Sequence, residues 1–413
     1  MFDQLKSGRF VTPDRIRTVS AMLLVAYVLA IVAVIATSPD GMRDFRDIPL
    51  GSDFFSFWTA GNMAAEQGAA STYDPILNYQ MQQRLLNDPD PFFLPFLHPP
   101  QFLFLAIALA GLPYVAAWLT FSGVTMGCYV AAMRKLAPDG AALLAIIAAP
   151  AAFLNFTHGQ TGFLIAALFA GALFFLDKRP LVAGLLIGLL AFKPQYGVFF
   201  PLVLLITGRW RVIFAAAAAV IAQAGAATLA FGPGIWSAFM EKAEFARTVV
   251  LENGAVKWAT NQSVYSALRA FGAPNAAAYG VQMIFAAALA ASLVVLWRSD
   301  LDQRLKSAGL VIAAFLATPY ALDYDLILLA PAIALMVSHG LEYGFRAYEK
   351  LTLALAWFIP MIAMPFAEAT LIPIGLMTTL ALYSTVIARL LAAGATHPAQ
   401  KQAQKRARSL TAG

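Results

Sequence analysis

Residues 181–211 read LVAGLLIGLLAFKPQYGVFFPLVLLITGRWR, two apolar runs hinged on Lys193 and Pro194 and closed by Arg209 and Arg211. Neither run shows the regular apolar and polar alternation of a strand or of a helix with one wet face. Each is shorter than the roughly 20 residues a perpendicular membrane helix needs. The rest of the chain decides between a buried soluble core and a bilayer. Over 413 residues, 60% are hydrophobic and only 12% charged, with a mean hydropathy of +0.71. That is far more apolar surface than a soluble chain of this length buries. The sequence therefore predicts an all-α polytopic membrane protein in which some helices are short or broken.

Working outward, apolar runs punctuated by Pro, Gly or charge fall at 19–36, 140–155, 161–176, 180–193, 194–207, 211–231, 275–297, 305–319, 322–338, 349–365 and 370–392. The first is longer than the apolar core of a signal peptide and reads as an uncleaved span. Residues 99–133 are about 52 Å long as helix, too long for one span and too short for two, and Leu112-Pro113-Tyr114 breaks them. A half-depth segment plus one span is expected, giving about 12 transmembrane helices in a single integral membrane domain over 1–413. The lone Cys128 excludes a disulfide framework or a cysteine metal site. The net charge of +6 comes from bases scattered at helix ends and in the 393–413 tail, which membrane topology explains without a nucleic-acid partner.

Placing those bases on one side puts 1–18 and 393–413 in the cytoplasm and the long loops 37–98 and 232–262 outside. The first of these loops carries eight acids against three bases. Under this orientation the short turns at 155–162, 193–195 and 318–325 also fall outside. The polar residues that interrupt apolar runs thus collect on one face, as expected of a site at the extracytoplasmic surface of a multi-pass membrane protein, for which a bacterial inner membrane is the expected location.

Asp53 opens GSDFFSFWTAG, residues 51–61, where the aromatics and Gly61 recur at helical spacing. This predicts a short amphipathic helix lying in the membrane interface. Asp53 reads either as the cap of that helix or as a partly desolvated carboxylate placed to take a proton from a hydroxyl. Lys193 reads as a snorkelling lysine or as a partner for a phosphate. His98, His158 and Gln160 are polar tips at helix ends, read as hydrogen-bonded turn residues or as substrate contacts. Asn261-Gln262-Ser263 fits a glycosylation acceptor pattern. Asp323 and Asp325 flank Tyr324 at a helix start, so they read as caps or as residues facing a wet cavity. Two histidines without placed carboxylates do not make a metal site, and no metal or other cofactor is assigned, though a divalent ion stays open.

Asp53 with its aromatics, Gly68, TYDP at 72–75, HPPQFLFLAIALAGLP at 98–113, GQTGFL at 159–164, the 181–211 stretch, NQSVYSALR at 261–269 and TPYALDYDLILLAP at 318–331 together resemble glycosyltransferase family 87. The resemblance implies a membrane glycosyltransferase of GT-C fold, with short interfacial helices in its first external loop, that takes a hexosyl group from a polyprenyl-phosphate donor. Asp53 matches the family's catalytic base. Lys193, His98, His158, Gln160, Asn261, Gln262, Tyr320 and Asp323 fall in the matching motifs as candidate substrate-binding residues. Mycobacterial mannosyltransferases of the family carry histidines after the aspartate matched by Asp323. Tyr324 and Asp325 stand here instead, so mannose as the sugar stays open.

The chemistry needs a base for the acceptor hydroxyl and positive charge for a phosphate that leaves as an anion. Asp53 supplies the first, and Lys193 with Arg247 or Arg269 the second. The expected partners are the polyprenyl-phosphate sugar, a lipid or glycan acceptor, and membrane lipids. A secondary transporter, which usually shows two similar halves and a midplane site, and a non-catalytic membrane assembly protein are the alternatives.

Overall fold

The computed structural model describes residues 2–410, and side chains over 2–393. The basic tail expected over 393–413 therefore lies, from 394 onward, outside the described side chains. No strand forms among the described residues beyond one antiparallel bridge, Arg43 to Pro49.

Among the described residues, six helices are long and apolar enough to cross a bilayer: Pro13–Ala36, Tyr114–Met133, Trp210–Phe231, Asn275–Arg298, Asp323–Tyr343 and Ile374–Ala393. Two bent pairs raise the number to eight: Gly140–Ile147 with Pro150–His158, bent by 41°, and Glu349–Met361 with Ala363–Thr370, bent by 78°. The single span expected over 349–365 is thus broken. Pro360 and Pro365 flank the bend and deprive the helix of backbone donors there. Four more apolar helices, Pro100–Ala110, Gly162–Phe175, Pro180–Phe192 and Pro194–Ile206, are shorter. The 14 residues of Gly162–Phe175 reach only about 21 Å, against a hydrocarbon core of about 30 Å. Among the described residues, then, six to eight helices qualify by length and the four shorter ones do not. Residues 100–133 do divide as a short helix, a break at 111–113 and a 20-residue helix.

The larger of two hydrophobic cores among the described residues runs from Leu50 to Val386. At its centre is Gln303–Ala317, where every residue from Ser307 to Leu316 is buried. The first loop is drawn into the same core. In helix Phe54–Gln67, Phe54, Phe55 and Phe57 are at most 1% exposed. Their rings pack on Tyr114, Phe121 and Phe102. The aromatics expected to face lipid are packed on protein instead. Adjacent aromatics cannot share one face of a helix, so they are covered by protein on more than one side. Gly61 permits that cover, because a Cβ there would collide with the backbone of Ala106 on the neighbouring helix.

Candidate active site

Asp53 precedes helix Phe54–Gln67 but already has helical angles, φ −64° and ψ −26°, and its side chain makes no capping bond. A capping side chain needs an extended backbone to fold back onto the first turn, so the cap reading is set aside. Instead Asp53 Oδ2 accepts a hydrogen bond from Gln160 Nε2 at 2.8 Å. Gln160 arrives from the end of the second limb of the broken pair, Pro150–His158, through Gly159 at φ +59°. A Cβ at Gly159 would meet Phe54 and Trp118. Only glycine allows both that left-handed turn and that approach.

Lys193 sits at the break made by Pro194, as expected, with φ −137° and ψ 72°. It does not snorkel. Its Nζ lies 3.2 Å from Asp325 Oδ1, with side chains 13% and 4% exposed, and close to the rings of Tyr196 and Tyr324. A buried lysine in an apolar setting is tolerable when its charge is met in this way. Asp325 Oδ2 also accepts the Leu322 N–H, and Asp323 Oδ1 the Tyr324 N–H, so the cap reading of these aspartates holds in part.

The other candidate residues surround this core. His158 stacks near Tyr324, ring centroids 5.3 Å apart, with Nδ1 2.8 Å from the Leu154 carbonyl. His98 is enclosed by Phe57, Phe96 and Phe102, and neither ring nitrogen has a protein partner among the described residues. Burial, and secondarily the charge of Lys193, holds its imidazole well below the usual histidine range. Burial and the charges of Asp53 and Asp325 push the Tyr320 phenol up.

Asn261 and Gln262 act on the backbone of the 318–322 turn. Asn261 Oδ1 accepts the Ala321 N–H at 2.8 Å, and the Gln262 N–H donates to the Ala321 carbonyl at 2.7 Å. Asn261 is 2% exposed, which removes the glycosylation reading.

Arg247 and Arg269, weighed from sequence as charge for the leaving phosphate, lie elsewhere, as do Asp44 and Asp74 of the first loop. Arg247 pairs with Glu244 and Glu252. Arg269 donates to the carbonyls of Ala273 and Glu252 and covers the Trp258 ring. Both belong to a separate group around Glu252. Asp44 is held by Arg46, and Asp74 caps helix Pro75–Leu86. Sequence reasoning missed the Lys193–Asp325 pair and the Tyr324 hydroxyl, which accepts from Gln160 Nε2 at 3.2 Å. The departure from the family motif at 324–325 was the available signal. Among the described residues, no group of three or more His, Cys, Asp or Glu is arranged to hold a metal ion.

Four turns distant in sequence therefore meet at one place: 51–53, 158–160, 193–196 and 318–325. Compared with known proteins, the sequence matches glycosyltransferase family 87 over residues 96–319, more than half of the chain. The chain belongs to glycosyltransferase family 87. No curated protein and no solved structure matches it. Membership makes it a membrane glycosyltransferase, consistent with its apolar helices. The family match contains His98, His158, Gln160, Lys193, Asn261 and Gln262. Asp53 and the 320–325 residues lie outside it and are tied to it by the contacts described above.

Proposed function

We propose that this glycosyltransferase moves a hexosyl group from a polyprenyl-phosphate-linked sugar to a lipid or glycan acceptor on the extracytoplasmic face of the cell membrane, with Asp53 as general base. The observation that carries the reading is Asp53 itself. Its carboxylate is released from capping, gripped by Gln160, and gathered with Lys193, Asp325 and Asp323 where four turns meet.

In the step we propose, the acceptor oxygen attacks the anomeric carbon and its proton passes to Asp53. The bond from that carbon to the phosphate oxygen breaks, and the polyprenyl phosphate leaves with the electron pair. Lys193 supplies positive charge to that leaving anion, exchanging Asp325 for phosphate oxygens. His98, His158, Tyr320 and Asp323 surround the sugar, while Asn261 and Gln262 hold the 318–322 turn. The short helices suit a GT-C arrangement of about twelve membrane passes in one integral domain. In it, segments of 37–98 and 232–262 lie outside and some helices end partway through the bilayer.

Purified protein given radiolabelled polyprenyl-phosphate mannose or glucose tests this. Asp53-dependent consumption of at least one such donor is expected. Use of a nucleotide sugar instead, or no donor consumption at all, would overturn the reading.

A further inference from the structure

The side-chain amide of Gln160 is fully engaged. Nε2 carries two hydrogens and has two partners, Asp53 Oδ2 at 2.8 Å and Tyr324 Oη at 3.2 Å. Oε1 accepts the Thr161 N–H at 3.2 Å. This set fixes the amide's orientation. Turned over, it would set a carbonyl oxygen against a carboxylate oxygen and leave Thr161 facing an amine. Gln160 is 8% exposed, so water cannot readily replace these partners. Its place is fixed in turn by Gly159, whose missing Cβ lets the turn close on Phe54. On Asp53, Oδ2 is taken, and Oδ1 has no protein partner among the described residues.

We infer that Gln160 is a positioning residue for the base: it pins Asp53 Oδ2, is itself oriented by Tyr324 Oη, and thereby leaves Asp53 Oδ1 as the oxygen that receives the acceptor proton. This rests on the reading of Asp53 as base. It removes Gln160 from the residues that touch the sugar and gives the hydroxyl of Tyr324 a definite task. The ring of Tyr324 already packs near His158 and Lys193, so one side chain connects the base to the phosphate-facing half of the site. The other titratable groups within electrostatic reach of Asp53 are Tyr114, Tyr320 and Asp323.

Three variants test it, each checked for monodispersity in detergent and assayed with the labelled polyprenyl-phosphate donor. Gln160→Met keeps the length and removes the hydrogen bonds. A loose base at near-unchanged distance is expected to lower kcat by about 10²-fold while donor KM stays within a few-fold. Gln160→Glu is isosteric and sets two carboxyl groups to share one proton. The acid limb of the kcat/KM profile is then expected to move up by about one pH unit or more. Tyr324→Phe is expected to lower kcat several-fold, in the same direction.

A Gln160→Met enzyme with normal kcat, or one that loses donor KM rather than kcat, would overturn the inference. So would a Gln160→Glu profile with an unmoved acid limb, which decides the matter alone if the Met variant fails to fold. Asp53→Asn separates the two claims. Retained turnover there sinks the base itself, whereas a dead Asp53→Asn beside a normal Gln160→Met sinks only the positioning role.

Discussion

Helix Gln303–Ala317, 15 residues and about 22 Å long, separates two charge clusters that differ in how completely they are satisfied. At its first end, Asp302 binds Arg304 through both carboxylate oxygens, and Arg304 also reaches Glu342. Beside them Arg389 bonds to both oxygens of Glu349 at 2.7 and 2.6 Å, to the Gly344 carbonyl and to His339. Acids and bases there are matched with charge-assisted, partly bidentate bonds. At the other end, Asp53, Asp323 and Asp325 lie near one another, with His158 beside Asp323 and Lys193 joined to Asp325 by a single 3.2 Å contact, and among the described residues His98 has no polar partner. A cluster that closes on itself holds helices together. One with surplus carboxylate and an unmatched imidazole has capacity left for a ligand, and chemistry is to be looked for there.

The largest expected effect is on turnover. Asp53→Asn nearly matches the native side chain in size, can still accept from Gln160, and sacrifices no capping bond, so the protein should remain folded. Loss of a general base should lower the transfer rate on the order of 10² to 10⁴-fold. A rate within a few-fold of wild type would mean that the unsatisfied cluster is not where the chemistry occurs.

The matched cluster should show the opposite phenotype. Arg389→Gln strands Glu349, whose side chain is 2% exposed, and removing one partner of such a pair costs about 3–5 kcal/mol. A large fall in the thermal unfolding midpoint in detergent is expected, with turnover per folded molecule near normal at low temperature. Wild-type stability together with lost catalysis would erase the contrast between the two ends.

Much of this organisation is legible in the sequence because it is local. Apolar runs, the break at Pro194 and the division at 111–113 follow from hydropathy and from what proline forbids. That polar turns interrupt the helices is visible too. Which turn meets which is not. Gln160 finds Asp53 across 107 positions and Lys193 finds Asp325 across 132, and nothing periodic encodes such pairings. The aromatic helix is ambiguous for a related reason. Phe54, Phe55 and Phe57 mark an apolar helix whether lipid or protein covers it, and the cover comes from Tyr114–Met133 and its neighbours. The number of spans resists reading because a 14-residue apolar run is the same string whether it stops partway or tilts little.

A smaller effect sharpens the comparison at the Lys193–Asp325 pair. Lys193→Met alone leaves a buried carboxylate unpaired, whereas adding Asp325→Leu removes the orphan. Coupled neighbours of this kind commonly differ from additivity by about 0.5–3 kcal/mol. The double variant should therefore unfold at a higher temperature than the single one, yet stay inactive if Lys193 meets the donor phosphate. Full additivity would mean that the two charges are already screened by water. An active double variant would remove Lys193 from the chemistry.

The smallest expected effect concerns pH. His98 lies in an aromatic cage, where burial and the Lys193 charge both disfavour its protonated form. In the unfolded chain a histidine takes up its proton near pH 6.5. As the pH falls below that value, the unfolded state therefore binds more protons than the folded state, and stability declines. Wild type should show a larger drop in unfolding midpoint between pH 7.5 and 5.5 than His98→Phe, which retains a ring for Phe57 and Phe102 to pack on. Carboxylates elsewhere titrate in both proteins and cancel in the difference. Because Lys193 contributes to the depression, Lys193→Met should narrow the gap between His98 and its His98→Phe counterpart. Equal drops in all backgrounds would mean that the imidazole is solvated at low pH, and the description of this end of the molecule as polar but unmatched would fail at His98.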